Sequence, residues 1–333
     1  MAPRPPHRIV IDTDPGVDDA LAILFALRSP ELDVAAITTV CGNVPVEQST
    51  RNLVRILALA DPPKGLTIGQ GAAAPLVRTL ETATHVHGQD GLGDLDHVRM
   101  PDDGTPSYPS PNLPADLPDV RSVWKQALHG TDRPTMLVTL GPLTNLALVL
   151  QKEPELAHRF QRIVCMAGAI TVGGNVTPAA EFNVYVDPHA ADLVLAAGLP
   201  LTMIPLDVTM TVTMTDHEIA AVCEKSPDGV ARFFRDATGP AVEFARRALG
   251  RPIFEFHDPL AMAVTADPSL VETIPMPLHV VMENGPALGK TVRDEIVSPG
   301  AEGMRAPVSV ALRVDRDRAL SYIVSRLCPP SLS

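Results

Sequence analysis

Positive charge is the first thing this 333-residue chain is short of: 27 lysines and arginines stand against 39 aspartates and glutamates, a formal net charge of −12. A nucleic-acid polymer or an anionic membrane needs a basic face, so neither is expected as a partner, and small polar ligands stay open. Long apolar runs are missing too. No stretch reaches the roughly 20 residues of a bilayer-crossing helix, and residues 1–7 have no apolar core of the signal-peptide kind. Cysteine is scarce: Cys41, Cys165, Cys223 and Cys328 match no zinc or redox spacing. They read as small buried apolar residues of a cytoplasmic protein.

What is present alternates. Short apolar runs at 8–11, 34–40, 136–140, 163–166 and 201–206 each lead into a polar or glycine-containing segment. Amphipathic stretches follow at 20–27 and 49–60, after Gly141, after Pro188, and after Thr215, where Thr215 and Glu218 have capping-box spacing. A long helix is expected over 230–249, and Trp124 falls on a helix before the 136–140 strand, where it reads as core. This is the pattern of an α/β chain: one domain, a mostly parallel open sheet with helices on both faces. The end differs, with strand-like runs at 278–282, 290–293 and 308–314 expected as added, antiparallel strands before a last helix at 319–327. Residues 101–118 are rich in proline and aspartate and are expected as a long surface loop inside that domain, not a linker.

The most informative stretch is Asp12-Thr13-Asp14-Pro15-Gly16-Val17-Asp18-Asp19, at the carboxyl end of the first strand, where open α/β sheets place ligands. As plain structure, Asp18 and Asp19 would complement the dipole of the next helix, worth roughly 0.3–1 kcal/mol each. That accounts for two carboxylates and leaves two over. Four on one turn raise each other's pKa unless a cation neutralises them, and an all-oxygen set suits calcium or magnesium better than zinc. Asp-x-Asp after a strand also opens haloacid-dehalogenase-like phosphatases. Those enzymes want Thr or Val where this chain has Gly16, and the pair Asp18-Asp19 is foreign to their pattern.

Further along, Asn175, Glu181, Phe182 and Asn183 share a glycine-containing loop whose amides and carboxylate suit sugar hydroxyls. His257-Asp258-Pro259 precedes an apolar run, with Asp258 placed as an N-cap and Pro259 as a first helical residue. Taken with Gly42-Asn43-Val44, His87-Gly88, Gly91-Leu92-Gly93, the turn 141–145 and Gly289-Lys290-Thr291-Val292-Arg293-Asp294, these motifs resemble the inosine–uridine-preferring nucleoside hydrolase family. They keep that family's order and approximate spacing, and the resemblance covers nearly the whole chain.

The resemblance implies hydrolysis of the N-glycosidic bond of ribonucleosides, to free base and ribose, by a calcium-bound water that an aspartate activates. Asp14, Asp19, Asp258 and the backbone carbonyl of Leu140 would bind Ca²⁺, and Asp14 would also act as the base. Asp18 and Asn183 would hold the 2′,3′-diol, Asn175 and Glu181 the 5′-hydroxyl. Asn43 would lie beside the attacking water, Phe182 and His87 near ribose or base, and His257 would protonate the leaving base. A homodimer or homotetramer is implied as well. A negative site suits the chemistry, because bond cleavage builds positive charge on the ribose. Residues 230–256 contain no tyrosine or tryptophan, so a tyrosine-borne proton relay from that segment is not expected. The alternative from another class is a protein that holds nucleosides with calcium and does not turn them over. Paired acid and base residues beside the metal argue against it.

Overall fold

The computed structural model describes residues 5–100, 102–109, 112–114, 116–226, 228–294 and 305–329. Six strands run parallel: His7–Thr13 (β1), Leu32–Thr39 (β2), Thr67–Gln70 (β3), Thr135–Thr139 (β4), Arg162–Met166 (β5) and Leu201–Ile204 (β6). Along β1, Ile9 and Ile11 pack on one side and Val10 on the other, as a strand covered on both faces requires. Strands β2, β4, β5 and β6 divide their side chains between the same two layers.

One layer contains Val17–Leu27 (α1), Val46–Ala60 (α2) and the helices Gly229–Leu249, His257–Ala266 and Arg316–Leu327. The other contains Val120–Leu128, Thr144–Lys152 and Pro188–Ala196. Trp124 lies fully buried there, its indole N–H donating to Thr38 Oγ1 at 3.2 Å, as a core residue should. The capping box at Thr215 and Glu218 is present in both directions.

The main sheet has eight strands in the order β3-β2-β1-β4-β5-β6, then Val308–Val314, then Val271–Met276. The order reverses between β1 and β4, and the crevice beyond the carboxyl ends of those strands is where such sheets bind ligands. Val308–Val314 departs from expectation. It lies parallel to β6, in register Ser309 to Thr202, and only Val271–Met276 runs antiparallel beside it. With Val310 and Ala311 fully buried, it fills an interior slot between two strands instead of forming an exposed addition. The other two late strands, Leu278–Val280 and Thr291–Arg293, pair antiparallel in a separate two-stranded sheet. Among the described residues of 101–118 there is no helix and no strand, and residues 101, 110, 111 and 115 lie outside the description.

Candidate active site

The β1–α1 turn and the β4 turn meet at the switch point. Asp14 is fully buried there, and its Oδ2 accepts the backbone N–H of Asn43 at 2.7 Å. Its Oδ1 is buried with no hydrogen-bond partner among the described residues. Two glycines make room for it: a Cβ at Gly42 would stand 1.9 Å from Asp14 Oδ2, and one at Gly141 would stand 2.4 Å from Oδ1. These motif glycines are therefore required by close approach to a carboxylate.

Asp19, also fully buried, accepts from Thr13 Oγ1 at 2.5 Å and from the N–H of Gly16 at 3.0 Å. The Asn43 amide adds a third hydrogen bond at 3.0 Å. Asn43 thus bridges Asp14 and Asp19, a clamp as much as a residue beside the cavity it also lines. Asp12 faces away into the sheet, between Thr38 Oγ1 at 2.5 Å and Asn145 Nδ2 at 2.8 Å, and burial pushes its carboxyl up to about 7.

The first turn of His257–Ala266, in the same layer as α1, brings in Asp258. The N-cap of that helix is Phe256, so Asp258 does not cap it as the sequence suggested; its carboxyl points to the acidic cluster. Carboxylate oxygens of Asp18, Asp19 and Asp258 lie within 4.8 Å of one another. Burial, then the neighbouring negative charges, hold Asp258 well above the usual carboxylate range. Burial and Asp19 do the same to Asp14, and burial and Asp18 raise Asp19. Such a group can ionise together only around a cation, and every donor in it is oxygen, which fits a hard divalent ion.

Asp18 and Asp258 of the cluster line a cavity of about 270 Å³. Asp18, Asp258, Glu181 and Asn183 give its lining polar groups, and Phe244, Ala245, Leu249, Ile253 and Phe254 give it apolar ones. Glu181 caps the short helix Phe182–Val186, its carboxylate accepting N–H groups from Asn183, Val184 and Gly168. The Asn183 amide donates to the carbonyls of Leu140 at 2.6 Å and Met166 at 3.1 Å. Asn175 Oδ1 accepts the Phe182 N–H at 3.0 Å, and both residues line the cavity. Of the twelve residues given a role in the site, Asp14 and Asp19 sit beneath the lining and the other ten reach it, whereas Asp12, the remaining carboxylate of the turn, stays outside the cluster.

Two histidines face the acidic cluster in different states. His87 Nδ1 accepts the Val17 N–H at 3.1 Å and lies 3.9 Å from Asp18. Burial lowers its pKa, and in the neutral ring the accepting Nδ1 leaves the proton to Nε2. His257 is held by Thr209 Oγ1 at 2.8 Å on Nδ1 and by Glu255 at 3.3 Å on Nε2. Burial opposes its charge, but Glu255, Asp18 and Glu181 outweigh burial and raise its pKa. Glu255 and Thr209 were missed in the sequence. The one signal for Glu255 was its nearness in sequence, two residues before His257 at the end of the strand Ile253–Glu255. Thr209 had none, because the chain brings it in from 48 positions away.

Residues 9–321 match the family model described as inosine-uridine preferring nucleoside hydrolase. A pyrimidine-specific ribonucleoside hydrolase, RihA, of Shewanella sp. (strain MR-7) is 34% identical over 96% of this chain and 95% of its own length. Among solved structures, a plant nucleoside hydrolase superposes with a TM-score of 0.87 at 33% identity, covering 98% of this chain and 100% of that one. A purine-preferring ribonucleoside hydrolase from Gardnerella vaginalis gives 0.85 at 32% identity, covering 96% and 98%.

Proposed function

Since this chain belongs to the inosine–uridine-preferring nucleoside hydrolase family, and is by that kinship a ribonucleoside hydrolase, we propose that its acidic cluster holds the ribose over a calcium ion while the apolar side chains of the cavity receive the base. The observation that carries this reading is the convergence of Asp18, Asp19 and Asp258 at a cavity lined by both polar and apolar side chains, with an unpartnered Asp14 oxygen in the same turn. Asp14, Asp19, Asp258 and the Leu140 carbonyl would hold the ion, with Asp18 within reach of the same place. When bound, the ion would neutralise the cluster, grip the sugar diol and acidify an adjacent water.

The chain's own residues do the rest. The free Oδ1 of Asp14 takes the proton of the attacking water. Asp18 and the side-chain oxygen of Asn183 hold the diol, and Asn175 and Glu181 hold the 5′-hydroxyl. Phe182 packs on the sugar, Asn43 keeps Asp14 and Asp19 in place, and His87 stands by as a neutral donor. The surrounding negative charge favours the positive ribose of the transition state. His257, whose surroundings favour its protonated ring, donates to the leaving base. The phosphatase alternative falls with the family match, and a calcium-dependent binder without turnover would use Asp14 as a ligand but would have no need of an acid such as His257 paired with it. We place the enzyme in the cytoplasm as a homodimer or homotetramer, and among the described residues no helix is long and apolar enough to cross a membrane.

The base is left to measurement, because the relatives are named for pyrimidine and for purine nucleosides alike. Ribose release from a panel of ribonucleosides, with and without chelator, tests the whole reading and names the base. The best substrate should outrun its 2′-deoxy analogue by roughly four orders of magnitude in kcat/KM, because the analogue leaves buried diol partners unpaired. Comparable values for the two would mean that this cluster does not hold the diol.

A further inference from the structure

The four cysteines look alike in sequence and are not alike in space. Cys41 and Cys165 are buried apart from other thiols, and burial pushes the Cys41 thiol up to about 12. Cys223 and Cys328, 105 positions apart, meet with 3.8 Å between their sulfurs. Cys223 ends the helix Asp216–Cys223, and Cys328 caps the end of Arg316–Leu327. We propose that Cys223 and Cys328 are an oxidation site, a thiol pair that closes to a disulfide when a peroxide reaches it.

The geometry is close to what the bond demands. A disulfide needs about 2.05 Å between sulfurs, so each sulfur has to move by less than about 1 Å from its place in the reduced pair. The two thiols are also electrically unequal. The contact with Cys328 leads in lowering the Cys223 thiol, with the nearby Arg235 helping, and the same contact raises Cys328. We assign the first attack to Cys223 on that ground. It takes one oxygen of hydrogen peroxide as the O–O bond breaks, which leaves a sulfenic acid and releases hydroxide, protonated to water. Cys328 sulfur then attacks Cys223 sulfur, the S–O bond breaks, and a second water departs. Two thiols lose two electrons and two hydrogens, and one peroxide becomes two waters. Both sulfurs are nearly buried, but they sit at helix ends, where local opening has its lowest cost.

The bond would fasten a junction the fold already gathers. Arg28, just past the end of α1, donates to Asp228 at 2.8 Å and to the carbonyls of Arg326 and Leu327. Asp228 in turn caps the helix Gly229–Leu249, which carries Phe244, Ala245 and Leu249 of the apolar cavity wall. A disulfide here closes a long loop and constrains the unfolded chain accordingly. The oxidised protein should then melt several degrees higher than the reduced one.

The test treats the native protein with a few equivalents of hydrogen peroxide, then counts thiols in denaturant and maps peptides without reduction. The expected result is a fall from four thiols to two, one Cys223–Cys328 cross-linked peptide lighter by two hydrogens, and a higher Tm that reductant reverses. Cys328→Ser should leave Cys223 unable to cross-link, whereas a Cys41→Ala, Cys165→Ala double variant should still lose two thiols. Four thiols surviving, a cross-link through Cys41 or Cys165, or over-oxidation of Cys223 without a cross-link would overturn the proposal.

Discussion

Asp14 has no slack: Gly42 and Gly141 lie against its two oxygens, and Asn43 fixes one of them. Asp14→Asn keeps the shape and can still accept the Asn43 N–H, but it removes the base. Turnover should fall by about 10²–10⁴-fold with the circular dichroism spectrum unchanged. An active Asp14→Asn enzyme would put the base elsewhere. His257 poses a sharper question, because Thr209 and Glu255 engage both its ring nitrogens. If it protonates the leaving base, His257→Ala should cripple natural nucleosides and largely spare p-nitrophenyl riboside, whose leaving group departs as an anion unaided. Equal losses on both substrates would reduce His257 to packing. Asp14, Asp18, Asp19 and His257 were singled out in the sequence because four carboxylates crowd one turn, two more than a helix dipole explains, and because the ordered motifs around them resemble one family. That Asn43 would clamp two of those aspartates was not readable, because the hydrogen bonds join turns after different strands.

At the level of elements, β1, β2, β4, β5 and β6 were legible because each is a run of apolar residues buried on both faces. Strand β3 was not, since Thr67-Ile68-Gly69-Gln70 contains one strongly apolar residue. Val271–Met276 was missed for a related reason: it is the edge of the sheet, four of its residues are exposed or nearly so, and it tolerates Pro275. Three-residue strands such as Thr213–Thr215 and Ile253–Glu255 pair across 38 or more positions and give no local period. The outer hairpin is tied to the second layer by Asp192, which accepts the Val280 N–H at 2.9 Å and Arg305 at 2.7 and 2.8 Å. Burial acts to raise Asp192, but those partners prevail and hold it below the usual 3.8. A carboxylate so depressed stabilises the fold above that value and loses its contribution as pH falls through the lower folded value. Asp192→Asn should therefore cost about 1–2 kcal/mol near neutral pH, allowing for partial exposure, and the gap in denaturant midpoint should close in strong acid. A gap that stays constant with pH would assign the loss to packing.

Over the whole molecule, function follows from where the sheet reverses. The chain lays β1 and β4 side by side, so that a turn from the first twenty residues, a turn near residue 141 and a helix start near residue 258 share one crevice. No local pattern could announce that meeting; the ordered motifs could, because they resembled a family that assembles the same pieces. The central claim is that these pieces are built around one calcium ion. Metal analysis of the purified protein, coupled to ribose release before and after chelation, tests it most directly. The account predicts about one Ca²⁺ per chain, loss of turnover on chelation and its return when calcium is restored. A tetrahedral zinc in the site, or full turnover by metal-free protein, would contradict it.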